Sequence, residues 1–257
     1  MDVDGLLLDM DGVLTLSWQP LPGAEETVRW LRQRGLPFRV ITNTTTHPRS
    51  ELAARLSGIG IEVEADEVVT AVVATAEYLR RHHPGAKVRL LSDGDASADL
   101  EDIRLVEEEP DVVVIGGAFE GFTYGALNRA FRAVMEGAVL LGMHRNLFWR
   151  TDEGWQLDGG AYIAGLEEAT GRRAVICGKP AAEFFGSALS TMGIEPARAA
   201  MVGDDVVSDV LGAKASGLRG VLVRTGKFRA QDLQQATEQP DHVIGSIAAL
   251  PELLASS

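Results

Sequence analysis

The stretch Gly5-Leu6-Leu7-Leu8-Asp9-Met10-Asp11-Gly12-Val13-Leu14 constrains this chain more than any other. An apolar run that closes in an acid and then a glycine reads as a parallel strand buried on both faces and ending at a crevice. Asp9 and Asp11 are left at its tip, on the carboxyl side where open α/β sheets bind ligands. Carboxylates this close repel unless a cation or a shared proton lies between them. A bound divalent metal is the simplest resolution, although the same residues, taken alone, could equally begin a turn.

Three more pieces follow in order: Val40-Ile41-Thr42-Asn43, then Gly178-Lys179-Pro180, then Met201-Val202-Gly203-Asp204-Asp205 with Asp209. Each follows or closes a short apolar run, so each can sit at a strand end beside Asp9. Strand and helix patterns alternate throughout, which predicts an α/β fold built on a Rossmann-like, doubly wound parallel sheet. Pro22-Gly23 opens a helix through Arg34, Phe38–Thr42 is the second strand, and Val68–Arg81 reads as a helix. The segment from 71 to 176 has its own alternation: strands at 87–91, 112–115 and 139–142, helices near 96–103, 124–136 and 162–170. A hairpin is expected over Trp149–Trp155, turning at Asp152-Glu153-Gly154. About a hundred residues with several strands can form a separate core. The first domain resumes with the strand ending at Cys177, and a helix is expected over Val207–Ser216.

The ordered motifs resemble the haloacid dehalogenase (HAD) superfamily of phosphohydrolases, and the long interval between Thr42 and Lys179 resembles its NagD-like subgroup. Thr170–Pro180 and Val223-Arg224-Thr225-Gly226-Lys227-Phe228 look most like the phospholysine phosphohistidine inorganic pyrophosphate phosphatase branch. The resemblance implies a phosphohydrolase core over 1–70 and 177–257 and an inserted α/β cap over 71–176. It also implies Asp9 as the nucleophile, forming an aspartyl-phosphate, and Asp11 as the general acid and base. Asp204 is expected to join Asp9 and the backbone carbonyl of Asp11 around Mg²⁺, a hard ion that prefers oxygen. Asp209 would stand behind them, orienting a metal-bound water or Lys179, and Asp204 could also cap the helix that follows it. Thr42 and Asn43 offer a hydroxyl and amides to phosphate, and Lys179 a point charge. His144, Arg145 and Asn146, after a cap strand, are candidate substrate contacts, with Asp158 and Gly159 where the cap returns.

Composition narrows the partners. An excess of 37 acidic over 24 basic residues, with a formal charge of -13, disfavours nucleic acid and anionic lipid. No apolar run approaches the roughly 18 residues that span a membrane. The start of the chain carries no basic or cleavable apolar segment, and Cys177 is the sole cysteine. A cytoplasmic enzyme acting on a small phosphorylated molecule is expected, and the family resemblance implies a homodimer formed through the cap. The competing readings are a receiver-like phospho-aspartate signalling module and a catalytically silent phosphate-binding protein. A P-loop of the G-x-x-x-x-G-K-[ST] type is absent from the sequence.

Overall fold

A computed structural model describes residues 1–95, 97–117, 120–151 and 154–255. Its compact units are two: Met1–Thr42, Arg49–Val69 and Lys179–Ser257 form the first, Asn43–Pro48 and Thr70–Gly178 the second.

The first unit is built on the opening apolar stretch. β1 (Gly5–Asp9) is buried at every residue. Its alternation sends Leu6 and Leu8 into a core with Val28, Leu31, Leu52 and Leu56, while Leu7 on the opposite face is also fully covered. The hairpin strands β2 (Thr15–Leu16) and β3 (Gln19–Pro20) follow, then α1 (Ala24–Arg34), β4 (Phe38–Thr42) and α2 (Arg49–Gly58). Gly35 stops α1 in a left-handed conformation, φ 62°, with its N–H on the carbonyls of Arg32 and Leu31. The stretch read as one helix from Val68 is instead β5 (Val68–Thr70) followed by α3 (Ala71–His82). Thr70 divides them because its extended backbone lets its hydroxyl accept from Val73 N at 3.2 Å.

The second unit contains β6 (Val88–Leu91), β7 (Val112–Ile115), α4 (Tyr124–Met135), β8 (Val139–Gly142), β9 (Phe148–Thr151), β10 (Gly154–Leu157), α5 (Gly159–Thr170) and β11 (Val175–Ile176). Its four-stranded sheet runs β11-β8-β7-β6, with every pair parallel. Val112 and Val114 pack with Ala76 and Leu79 of α3, and Val113 and Ile115 with Ala130, Val134 and Ile163. That two-sided burial explains the uninterrupted apolar run. The helix expected near 96–103 is a short 3₁₀ turn, Ser97–Leu100, and Ala96 lies outside the described residues. β9 and β10 form the expected antiparallel hairpin, with Gly154 in the strand; Asp152 and Glu153 lie outside the described residues. The strand that was expected to resume the first domain, β11, pairs with β8 in this second sheet. Two residues are too few to carry a recognisable pattern of their own, and only the pairing decides their sheet.

The chain then returns through α6 (Ala182–Ser190), β12 (Ala199–Gly203), α7 (Gly212–Ala215), β13 (Arg219–Val223), α8 (Ala230–Gln235), β14 (His242–Ile244) and α9 (Leu250–Ala255). The first sheet is ordered β14-β13-β12-β1-β4-β5. Between β12 and α7, Val206–Leu211 forms a wide π-helical turn in place of a regular helix, and the carbonyl of Asp205 accepts from both Asp209 N (3.1 Å) and Val210 N (3.2 Å). Among the described residues no helix is long and apolar enough to cross a membrane.

Glu167 on α5 ties the second unit together, with Oε1 accepting from Ala174 N at 2.8 Å and Oε2 pairing with Arg145. Burial alone would raise its pKa, but these donors hold the carboxyl below its ordinary value. The resulting stabilisation is present above the unfolded carboxyl's pKa and fades as pH falls through the depressed folded one. Glu167→Gln keeps an acceptor and removes the charge, so at neutral pH it should cost about 1 kcal/mol. Thermal unfolding across pH checks this: the gap to the parent should close in acid.

Candidate active site

The strand register brings the first and last motifs together. Leu8 of β1 stands opposite Val202 of β12, and Asp9 opposite Ile41 of β4, so Asp9, Thr42 and Asp204 leave neighbouring parallel strands at their carboxyl ends. Asp9 (5% exposed), Asp204 (1%), Asp209 (1%), Thr42 (3%) and Lys179 (5%) are all buried. The Lys179 ammonium lies 2.6 Å from Asp9 Oδ1 and 2.7 Å from Asp209 Oδ1. Burial would push that ammonium down, but the carboxylates of Asp209 and Asp9 hold it well above its ordinary range.

Asp9, Asp204 and Asp209 each present a carboxylate oxygen within 4.8 Å of one another. Burial, with the charges of Asp9 and Asp209, pushes Asp204 up to about 8. Burial likewise raises Asp209 to about 6, against the pull of Lys179. The oxygens are not equally committed. Asp209 Oδ1 meets Lys179, and Oδ2 accepts from Asp205 N at 3.1 Å. Asp204 Oδ2 accepts from Lys227 N at 2.6 Å, whereas its buried Oδ1 has no hydrogen-bond partner among the described residues. A buried carboxyl oxygen left without a donor stays neutral, as the raised value of Asp204 indicates, or ionises against a bound cation. An all-carboxylate set fits a hard divalent ion such as Mg²⁺.

Glycines shape this pocket. A Cβ on Gly12 (φ +93°) or on Gly226 (φ +57°) would lie 1.9 Å from Asp204 Oδ2, and a Cβ on Gly203 would lie 2.2 Å from Asp209 Cβ. The Thr225 hydroxyl donates to the Gly12 carbonyl and fastens the loop after β13 to the loop after β1. Asp11 stands at the exposed rim. Protein around its carboxyl raises its pKa against the opposing charges of Lys227 and Lys179.

Asp205, rather than Asp204, caps the wide turn, accepting from Val207 N (2.9 Å) and Ser208 N (3.0 Å). Asn43 clusters with the second unit, where its Oδ1 fills the space that a side chain on Gly178 would take, 2.6 Å from that Cβ position. The expected substrate contacts of the second unit are engaged within it. His144 is 3% exposed, its Nδ1 accepting from Asn146 N at 3.2 Å and its Nε2 lying 3.6 Å from Asp158 Oδ1. Arg145 pairs with Glu167, and the Asn146 carbonyl accepts from Gly160 N at 2.9 Å. Asp158 caps α5 through Gly159 N at 2.7 Å.

A family model described as haloacid dehalogenase-like hydrolase matches residues 6–105, and a HAD-hydrolase-like model matches residues 176–250. The phospholysine phosphohistidine inorganic pyrophosphate phosphatase of Rattus norvegicus is 36% identical over 258 residues, covering 98% of this chain and 94% of that protein. This chain belongs to the haloacid dehalogenase-like hydrolase family. The human haloacid dehalogenase-like hydrolase domain-containing protein 2 is also 36% identical, over 91% of this chain and 89% of that protein. Among solved structures, a p-nitrophenyl phosphatase from Archaeoglobus fulgidus has a TM-score of 0.92 at 30% identity, covering 99% of this hydrolase and 100% of that chain. NagD from Escherichia coli K-12 has a TM-score of 0.88 at 27% identity, covering 96% and 98%.

The sequence motifs of this hydrolase left out Gly226 and Lys227 as parts of the site. The signal available was their position just after the apolar strand that ends at Val223, followed by a Thr-Gly turn. The packing around Asp204 makes a direct demand: Gly226→Ala should destabilise the protein by roughly 2 kcal/mol or more, from a positive φ and a clash together. Gly35→Ala, with nothing within 4 Å of its Cβ position, should lose only the conformational part. Denaturant unfolding of both variants measures the difference.

Proposed function

We propose that this hydrolase is a Mg²⁺-dependent phosphatase that cleaves small phosphorylated molecules through an aspartyl-phosphate on Asp9. The observation that carries the reading is the buried Lys179 ammonium held between Asp9 and Asp209, beside the unpartnered Asp204 Oδ1. Asp9 and Asp204 would hold the ion, with the Asp11 carbonyl completing the set, and Asp209 fixes Lys179. When bound, Mg²⁺ neutralises charge on the carboxylates and on the phosphoryl oxygens.

Lys179 donates to Asp9 Oδ1 and holds the carboxylate in place. Asp9 attacks phosphorus, and its new O–P bond replaces the bond to the leaving oxygen. Asp11 donates a proton to that oxygen, then takes one from the water that attacks the phospho-aspartate, releasing inorganic phosphate and restoring Asp9. Thr42, at the end of β4, supports the phosphoryl oxygens. The names of the relatives support phosphomonoesters, pyrophosphate and phosphoamides as the substrate range. The second unit, in this reading, is the cap that selects among them, and its exposed Leu147, Phe148 and Leu157 support pairing with a second copy. A cytoplasmic setting belongs to the same reading.

Phosphate release from p-nitrophenyl phosphate tests the proposal. Activity should vanish in excess chelator and return with Mg²⁺; full turnover in chelator would defeat the metal's role. Asp9→Asn should lower kcat at least about a thousandfold, roughly 4 kcal/mol of barrier. Asp11→Asn should harm an alkyl phosphate more than an aryl phosphate, because a poor leaving oxygen needs the proton. Equal losses on the two substrates would remove Asp11 from that role.

A further inference from the structure

Resting on the phosphatase reading, we infer that Lys227 is a second phosphate-binding cation of this site, meeting the incoming phosphate at its exposed rim. The main chain fixes where the residue stands. Gly226 packs its backbone against Gly12 and Asp204, the Thr225 hydroxyl ties the loop to the Gly12 carbonyl, and Lys227 N donates to Asp204 Oδ2 at 2.6 Å. The root of the side chain is thereby anchored one hydrogen bond from the carboxylate cluster. The residue is exposed, and among the described residues its ammonium makes no ion pair.

Charge balance gives that position its use. Asp9, Asp204 and Asp209 face the single charge of Lys179, whose ammonium is enclosed and already shared by two carboxylates. One divalent ion brings such a set to neutrality, leaving no net attraction for a phosphate dianion. Lys227 supplies the missing positive charge as a mobile point charge on a long stem. Its grip on Asp204 is a main-chain bond, so exchanging the side chain leaves Asp204 held.

The test compares parent, Lys227→Met and Lys227→Arg, each loaded with Mg²⁺, by calorimetric titration with inorganic phosphate and by kinetics on p-nitrophenyl phosphate. Losing one charge-assisted contact should weaken phosphate binding about tenfold to a hundredfold in Lys227→Met. KM should rise in parallel with a smaller change in kcat, and Lys227→Arg should recover most of both. Mg²⁺ titration without phosphate should give no weaker affinity in either variant than in the parent. Unchanged phosphate affinity in Lys227→Met overturns the inference. So does a loss shared equally by Lys227→Arg, or one matched by lost Mg²⁺ affinity. If the parent turns over and Lys227→Met is unaffected, only this inference falls. A parent that hydrolyses no phosphorylated compound defeats the phosphatase reading instead.

Discussion

The ammonium of Lys179, enclosed between Asp9 and Asp209 at 2.6 and 2.7 Å, is the interaction on which the site depends. Two unit charges 4 Å apart repel by about 4 kcal/mol at an effective dielectric near 20. Asp9, Asp204 and Asp209 crowd within 4.8 Å, and the protein tolerates them together because a buried cation is pinned among them by short ion pairs. Each carboxylate arrives on a different segment. Asp9 ends β1, Asp204 follows β12, and Asp209 returns from a widened turn that Gly203 accommodates by having no side chain. The parallel sheet makes this convergence available, because all these strands finish on one side.

The parts of this architecture that were legible in the sequence share one property: a local pattern with a single packing solution. β1, β4, β7, β8 and β12 were visible as short apolar runs because both faces of each sheet are covered. Asp9, Asp204 and Lys179 were visible because each closes such a run or follows one. The rest depended on partners far along the chain. Asp204 is held by the backbone of Lys227, a group that every residue but proline possesses and that leaves no mark in a sequence. Arg145, a candidate substrate contact from the sequence, pairs with Glu167, 22 residues away on α5. The division of 68–81 into strand and helix was hidden because Val68, Val69, Val72 and Val73 suit either state, and the Thr70 cap alone separates them.

Glycine carries much of the site's precision in a way that hydropathy misses. Gly12 and Gly226 reach Asp204 from two loops, both with positive φ, and the carboxylate occupies the volume their side chains would have taken. Its orientation is therefore set by main chain on both sides, which moves less than side chains do. The unpartnered Oδ1 is left as the atom open to a cation.

The path of the chain between the two units adds a topological consequence. It crosses at 42/43, 48/49, 69/70 and 178/179, because Asn43–Pro48 clusters with the second unit although both of its flanks belong to the first. The second unit is thus sewn in by two separate passes of the polypeptide and is more than a bead inserted in a loop. Excising 70–178 would strip the 43–48 segment of its packing, including the Thr45 hydroxyl that accepts from Gly117 N at 2.9 Å. Exchange of the second unit between relatives is consequently a matter of two coordinated grafts, and a chain that acquires one without the other leaves a loose stitch at the end of β4.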